Sequence, residues 1–126
     1  MLRSVLVVDD SPFIRHKICE LFTRDGEFNV CGEAENGREA LNKAKQLHPD
    51  LIVTDLSMPV MNGLEETRLL KRVMPDVPVI IYSSYIDLFV EKEARLSGAS
   101  AAVSKSERIT ALLEIARGLF EDQIAA

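Results

Sequence analysis

The chain has no tryptophan, only two tyrosines and only two cysteines among its 126 residues. Cys19 and Cys31 lack the spacing of a metal-binding motif. We therefore expect each to behave as a small, buried apolar residue in a protein of a reducing compartment. No stretch approaches the roughly 18 consecutive apolar residues of a membrane-spanning helix. The first residues lack the charged region, apolar region and cleavage site of a secretory signal. These absences predict a cytoplasmic protein that does not contact a membrane.

A basic excess is also missing, because 15 Lys and Arg residues stand against 20 Asp and Glu residues and give a formal net charge of −5. A nucleic-acid surface needs clustered positive charge, so direct nucleic-acid binding is not expected. The composition is otherwise 47% hydrophobic and 28% charged, which is ordinary for a globular domain. The length predicts one domain over residues 1–126, large enough to bury its own core.

Short apolar runs alternate with amphipathic segments along the whole chain. The runs contain mainly Val, Ile, Leu and Ala and predict strands over residues 5–8, 29–32, 51–54, 79–82 and 101–103. The segments between them predict helices that begin at Ser11-Pro12, Asn36-Gly37, Asn62-Gly63, about Asp87 and about Ser106. Five such alternations predict an α/β fold with a doubly wound, five-stranded parallel sheet flanked by five helices.

Binding sites in such sheets lie outside the carboxyl ends of the strands. The polar residues that directly follow the predicted strands are Asp9, Asp10, Asp55, Ser83, Ser84, Ser104 and Lys105. Each has an ordinary interpretation alone, such as a turn residue, a solvated lysine or, for Ser83 or Ser84, the cap of the fourth helix. Together they place three carboxylates at one partly buried edge, which is electrostatically costly without a cation.

This set of residues resembles the receiver domains of two-component response regulators. The motifs that carry the resemblance are VVDDS at 7–11, DLSMPVMNG at 55–63, Ser83, GAS at 98–100 and Lys105. They follow the family's order and spacing over essentially the whole chain. The resemblance implies a flavodoxin-like fold with the strand order 2-1-3-4-5.

The resemblance also implies a role for each residue at the sheet edge. Asp55 would be the phosphoacceptor, and Lys105 and Ser83 would contact the transferred phosphoryl group. The metal ligands that it implies for Mg²⁺ (or Mn²⁺) are Asp9, Asp10, Asp55 and the backbone carbonyl of Ser57. The phosphoryl donor would be a phosphohistidine on a sensor histidine kinase or on a phosphotransfer protein.

Some features resemble one branch of the family, the receivers of LuxR-type transcriptional regulators. These are the stretches 30–37 and 58–67, and Ser106 after Lys105 where many receivers have proline. Ala102 stands where many receivers have an aromatic residue that moves together with the serine or threonine. These features are compatible with a stand-alone receiver and also with the receiver part of a longer regulator. The output would be a downstream protein partner or an effector domain outside this chain, and we expect a monomer or a weak homodimer.

Two alternatives use the same sheet edge. A small Mg²⁺-dependent aspartyl phosphatase of the haloacid-dehalogenase type would have two aspartates one residue apart after the first strand, whereas Asp9 and Asp10 are adjacent. A flavodoxin-like carrier would need a phosphate-binding loop there, and the two aspartates would repel a phosphate. We therefore expect a signalling phosphoacceptor that assists its own phosphorylation and dephosphorylation, with no effector domain in this chain, and not an enzyme acting on external substrates.

Overall fold

The computed structural model describes residues 2–125, which form one parallel sheet with the strand order β2-β1-β3-β4-β5. The strands are β1 (Arg3–Val8), β2 (Phe28–Ala34), β3 (Leu51–Thr54), β4 (Val79–Ser83) and β5 (Ala101–Ser104). The helices are α1 (Pro12–Asp25), α2 (Gly37–Leu47), α3 (Gly63–Val73), α4 (Leu88–Ser97) and α5 (Ile109–Ala125). The predicted fold class and strand order are confirmed.

Alternate residues of the central strands face opposite sides of the sheet, as the pleat requires. Val5 and Val7 of β1 lie in the core that α1 and α5 cover. Leu6 and Val8 lie in the core that α2 and α3 cover. The helix α4 packs on the same side as α2 and α3, where Ala94 forms a third buried cluster with Ile81 and Ala99. Helices on both faces bury the strands and leave the carboxyl edge of the sheet for a site.

Polar caps begin four of the helices. The side chains of Ser11, Asn36, Asn62 and Asp87 each accept a hydrogen bond from a backbone N–H in the first turn. The predicted starts of α1 to α4 are therefore confirmed. Because Asp87 caps α4, the interpretation of Ser83 or Ser84 as that cap was wrong.

The last helix starts later than predicted, at Ile109 instead of about Ser106. The hydroxyls of Ser104 and Ser106 are hydrogen-bonded at 2.7 Å, and the Ser104 hydroxyl also accepts from the N–H of Ser106 at 3.1 Å. A further turn joins the N–H of Glu107 to the carbonyl of Ser104 at 3.1 Å. These bonds form a turn directly after β5, and Lys105 lies within it.

The two cysteines are half-buried and not fully buried as expected. Cys19 packs against the core under α1 and α5, whereas Cys31 packs against the core on the opposite face. Burial raises the pKa of the Cys19 thiol to about 11, and it also raises the pKa of Cys31. Both thiols are therefore protonated at neutral pH. Within residues 2–125, no helix has the length and apolar composition needed to cross a membrane.

Candidate functional site

The strand pairing brings three aspartates together at the carboxyl edge of the sheet. Val8 and Thr54 are paired in neighbouring strands, so Asp9 and Asp55 follow at the same level. The N–H of Asp55 donates to the carbonyl of Val8 at 2.9 Å and fixes this alignment. Carboxylate oxygens of Asp9, Asp10 and Asp55 all lie within 4.8 Å of one another. The expected convergence of the three carboxylates is thus observed.

Lys105 reaches this cluster from the turn after β5, which is an edge strand of the sheet. Its ammonium nitrogen lies 2.8 Å from Oδ2 of Asp9 and 3.4 Å from Oδ1 of Asp55. The backbone N–H of Lys105 donates to the carbonyl of Ser83 at 2.8 Å. This bond, together with the turn after β5, fixes where the lysine side chain starts.

Burial and charge act on the ionisable groups in opposite directions. Burial, together with the negative charge of Asp9, raises the pKa of Asp55, and Lys105 opposes this shift. Burial alone would lower the pKa of Lys105, but its hydrogen bond to Asp9 and the charges of Asp55 and Asp9 raise it overall. Lys105 therefore remains a cation at neutral pH.

Asp9 is held in place by neighbours in the first loop. Its side chain is 1% exposed, and Oδ1 accepts from the N–H of Ser11 at 2.9 Å. The Arg15 guanidinium donates to the Asp9 carbonyl at 2.8 Å and pairs with Glu33 at 3.0 Å. Sequence reasoning missed Arg15, because no motif distinguishes it from other charged residues of an amphipathic helix.

A close backbone approach shapes the loop after Asp55. The N–H of Gly63 donates to the carbonyl of Leu56 at 2.9 Å, and the N–H of Leu56 donates to Oδ1 of Asp55 at 2.8 Å. A Cβ atom at position 63 would lie less than 3.0 Å from the Asp55 carbonyl oxygen, a contact that real Cβ atoms essentially never make. Only glycine lets the first turn of α3 pack this closely behind Asp55.

The other two predicted site residues are Ser83, at the end of β4, and Ser57, in the loop after β3. Ser83 ends β4 and is buried, and its hydroxyl accepts from the N–H of Tyr85 at 3.4 Å. Within the described residues, that hydroxyl makes no hydrogen bond to the side chain of Asp55 or Lys105. Ser57 lies in an exposed bend two residues after Asp55. The predicted roles of Ser57 and Ser83 therefore stay predictions.

Glu66 was also missed, although the sequence contains a signal for it. Its carboxyl group is fully buried in the first turn of α3, and Oε1 accepts from the Thr54 hydroxyl at 2.7 Å. Glu66 precedes the buried Leu70 by four positions, which places both on the same side of the helix. A charged residue on the apolar side of a helix is unusual enough to single out.

The acidic cluster fits a divalent cation. Carboxylate oxygens are the donors that Mg²⁺ and Mn²⁺ prefer, and the three aspartates place such oxygens within 4.8 Å of one another. Three carboxylates and one ammonium group leave a formal charge of −2. A divalent ion would balance this charge, and the exposed Asp10 leaves the site open to solvent.

The sequence model of the response regulator receiver domain matches residues 5–117. The chain belongs to this family, the receiver domains of two-component signalling. It is 36% identical over 105 residues to the chemotaxis protein CheY of Thermotoga maritima, covering 83% of this chain and 87% of that protein. The predicted resemblance is confirmed.

Relatives of other architectures share the same domain. The chain is 44% identical over 81 residues to a protein-glutamate methylesterase/protein-glutamine glutaminase of Clostridium acetobutylicum, covering 64% of this chain and 24% of that protein. The chain spans about a quarter of the length of the methylesterase relatives that it matches. The crystal structure of a LuxR-family two-component response regulator from Aurantimonas sp. SI85-9A1 aligns with a TM-score of 0.91, at 26% identity, over 94% of this chain and 85% of that one.

Proposed function

We propose that this protein is a phosphoacceptor domain and that Asp55 receives the phosphoryl group. The donor is a phosphohistidine on a sensor histidine kinase or on a phosphotransfer protein. The observation that carries the proposal is the position of the Asp55 carboxylate, which lies beside Asp9 and Asp10 and 3.4 Å from the Lys105 ammonium. This arrangement places a nucleophile, the Asp55 carboxylate, beside the positive charge of Lys105, and phosphoryl transfer requires both.

The transfer needs little from the protein beyond positioning and charge. An oxygen of the Asp55 carboxylate attacks the phosphorus atom, and the bond between phosphorus and the imidazole nitrogen breaks. The nitrogen keeps the electron pair, and the phosphoryl group becomes an acyl phosphate. A carboxylate is a nucleophile without a general base, so Asp55 is competent once it is ionised.

The metal site consists of the carboxylates of Asp9, Asp10 and Asp55 and the backbone carbonyl of Ser57. A bound Mg²⁺ or Mn²⁺ ion would neutralise charge on the phosphoryl oxygens during transfer. Ser11 and Lys105 hold the Asp9 carboxylate, and Leu56 and Lys105 hold that of Asp55. These two carboxylates are therefore oriented before a metal binds.

Phosphorylation changes the charge of the site and so drives the switch. The phosphoryl group carries about −2 where the Asp55 carboxylate carried −1. The additional negative charge attracts the Lys105 ammonium and the Ser83 hydroxyl. Before phosphorylation this hydroxyl accepts a hydrogen bond from the backbone N–H of Tyr85. A shift of Ser83 would move the β4–α4 loop and the adjacent surface. Because Ala102 has no ring to move inward, this signal acts through the position of the loop.

We propose a cytoplasmic signalling domain over residues 1–126 and not an enzyme acting on external substrates. Its output is a downstream protein partner or an effector domain outside this chain, as in a LuxR-type regulator. The domain does not bind nucleic acid itself, in keeping with its net charge of −5, and it is a monomer or a weak homodimer.

The proposal is tested by labelling with phosphoramidate in Mg²⁺, because this small molecule carries the same phosphorus–nitrogen bond as phosphohistidine. The wild type and the control Asp76→Asn, an exposed aspartate away from the site, should be phosphorylated once per chain. Asp55→Asn should form no stable phosphoprotein. Equal labelling of Asp55→Asn would contradict the proposal, and continuous release of phosphate from generic phosphoesters would favour the aspartyl phosphatase.

A further inference from the structure

A buried carboxyl group lies directly behind the proposed phosphoacceptor. Glu66 is completely inaccessible to solvent, and its Oε1 accepts from the Thr54 hydroxyl at 2.7 Å. The same hydroxyl lies 3.2 Å from the backbone carbonyl oxygen of Asp55. Glu66, Thr54 and the Asp55 peptide thus form a connected chain of polar groups inside the domain.

The number of protons decides how this chain is hydrogen-bonded. The Thr54 hydroxyl has one proton but two acceptors within reach, Oε1 of Glu66 and the Asp55 carbonyl. A neutral Glu66 carboxyl can donate to Thr54, which frees the Thr54 proton for the Asp55 carbonyl. Burial raises the pKa of Glu66 to about 8, so the neutral carboxyl predominates at neutral pH.

The Asp55 peptide is held from a second side as well. Gly63, at the start of α3, packs against the same carbonyl oxygen, and its N–H donates to the carbonyl of Leu56. The next residue in the chain after Asp55, Leu56, donates to Oδ1 of the Asp55 side chain at 2.8 Å. A rotation of this peptide would therefore turn the carboxylate away from Lys105.

We propose that Glu66 is a positioning residue that acts through Thr54 to fix the Asp55 peptide and hence the direction of the Asp55 carboxylate. This inference rests on the proposed function, since it assumes that Asp55 is the nucleophile. The fold itself gains little from the acid, because a buried carboxyl costs free energy where an apolar side chain would not. Within the described residues, Oε2 of Glu66 has no hydrogen-bond partner, which adds to that cost.

The test compares Glu66→Leu, Glu66→Gln and Thr54→Val with the wild type in phosphoramidate and Mg²⁺. Glu66→Leu and Thr54→Val should each slow phosphorylation roughly tenfold, because a displaced nucleophile loses near-attack geometry. Glu66→Gln should stay within about twofold of the wild type, since the amide can still donate to Thr54. The double variant should be no slower than either single variant, because both remove the same chain.

Two controls separate positioning from stability. Ser97→Ala removes a buried hydroxyl that donates to the carbonyl of Ala94 within α4, and this variant should label at the wild-type rate. Urea unfolding should give Glu66→Leu a midpoint at or above that of the wild type, so that rate and stability move in opposite directions. If Glu66→Leu does not fold, Thr54→Val and Glu66→Gln decide.

The outcomes distinguish the inference from the proposed function. If the wild type is phosphorylated and Glu66→Leu or Thr54→Val is phosphorylated at the same rate, the positioning role of Glu66 is overturned and the proposed function stands. A Glu66→Gln rate as low as that of Glu66→Leu, or a double variant with multiplied effects, would also overturn that role. A wild type that takes up no phosphoryl group would instead overturn the proposed function and the inference with it.

Discussion

The ammonium nitrogen of Lys105 lies 2.8 Å from Oδ2 of Asp9, although 96 positions separate the two residues in the chain. The strands β1 and β5 that precede them are not neighbours, because β3 and β4 lie between them in the sheet. The lysine side chain therefore reaches across two strand ends, and on the way it comes within 3.4 Å of Asp55. One cation thus links the carboxylates of two separate loops.

Removal of this cation should have two opposite effects. In Lys105→Met without Mg²⁺, the buried Asp9 carboxylate loses its charged partner, and the free energy of unfolding should fall by about 2 kcal/mol. Mg²⁺ should bind more tightly to the variant, because no ammonium then competes for the carboxylates. Urea unfolding and titration calorimetry measure the two effects. Lys45→Met, which changes an exposed lysine, is the control. Unchanged stability together with unchanged Mg²⁺ affinity would show that Lys105 does not act on these carboxylates.

Asp10 should matter for metal binding and little for folding. Its side chain is exposed, so Asp10→Ala should leave the urea midpoint close to that of the wild type. Mg²⁺ affinity should fall roughly tenfold or more, since loss of a ligand costs at least as much as loss of a supporting group. Titration calorimetry checks this, with Asp76→Ala as a matched change of charge away from the site. A variant that binds Mg²⁺ like the wild type would remove Asp10 from the ligand set.

Gly63 should not tolerate even one methyl group. The Cβ atom of Gly63→Ala would overlap the Asp55 carbonyl oxygen, so the variant should lose about 1–3 kcal/mol of stability and label slowly. Gly118→Ala is the matched control, because nothing lies within 4 Å of a Cβ atom there. That change in α5 should stabilise the protein by up to about 1 kcal/mol. Similar effects of the two substitutions would contradict the close approach at Gly63.

Glu66 should make stability depend on pH between about 4.5 and 8. Burial raises its pKa from 4.5 to about 8, so the folded protein keeps a proton that the unfolded chain releases in this window. The free energy of unfolding is highest, as far as Glu66 affects it, below about pH 4.5, and it falls as the pH rises to about 8. The slope is at most about 1.4 kcal/mol per pH unit.

The measurement for Glu66 is the free energy of urea unfolding across this pH range. Glu66→Gln cannot titrate, so the stability of the wild type relative to this variant should decline as the pH rises. Glu65→Gln removes an exposed carboxylate from the same helical turn and should keep the wild-type slope. Parallel curves for the wild type and Glu66→Gln would mean that the buried carboxyl does not hold its proton.

The sequence was sufficient to predict the parts of the site that depend on strand ends. Asp9 and Asp55 could be placed together because parallel strands end at one edge of the sheet, and the VVDDS and DLSMPVMNG motifs identified the family. Helix starts were predictable where one residue, such as Ser11 or Asn36, supplies the cap locally.

Features that depend on packing could not be predicted in the same way. The start of α5 was misplaced because two serine hydroxyls on either side of Lys105 bond to each other and form a turn. The partner of Glu66 is Thr54, twelve positions away on a neighbouring element, and only the packing of α3 behind β3 brings them together. The contact of Arg15 with the Asp9 carbonyl likewise depends on where α1 lies.

Chemical identification of the phosphorylated residue tests the role of Asp55 most directly. The protein is treated with phosphoramidate in Mg²⁺ and then with borohydride, which reduces an acyl phosphate of aspartate to homoserine, and peptides are analysed by mass spectrometry. If Asp55 is the phosphoacceptor, homoserine appears at position 55 and the aspartates at positions 9 and 10 stay unmodified. Homoserine at either of those positions, or a phosphorylated protein with intact Asp55, would contradict that role.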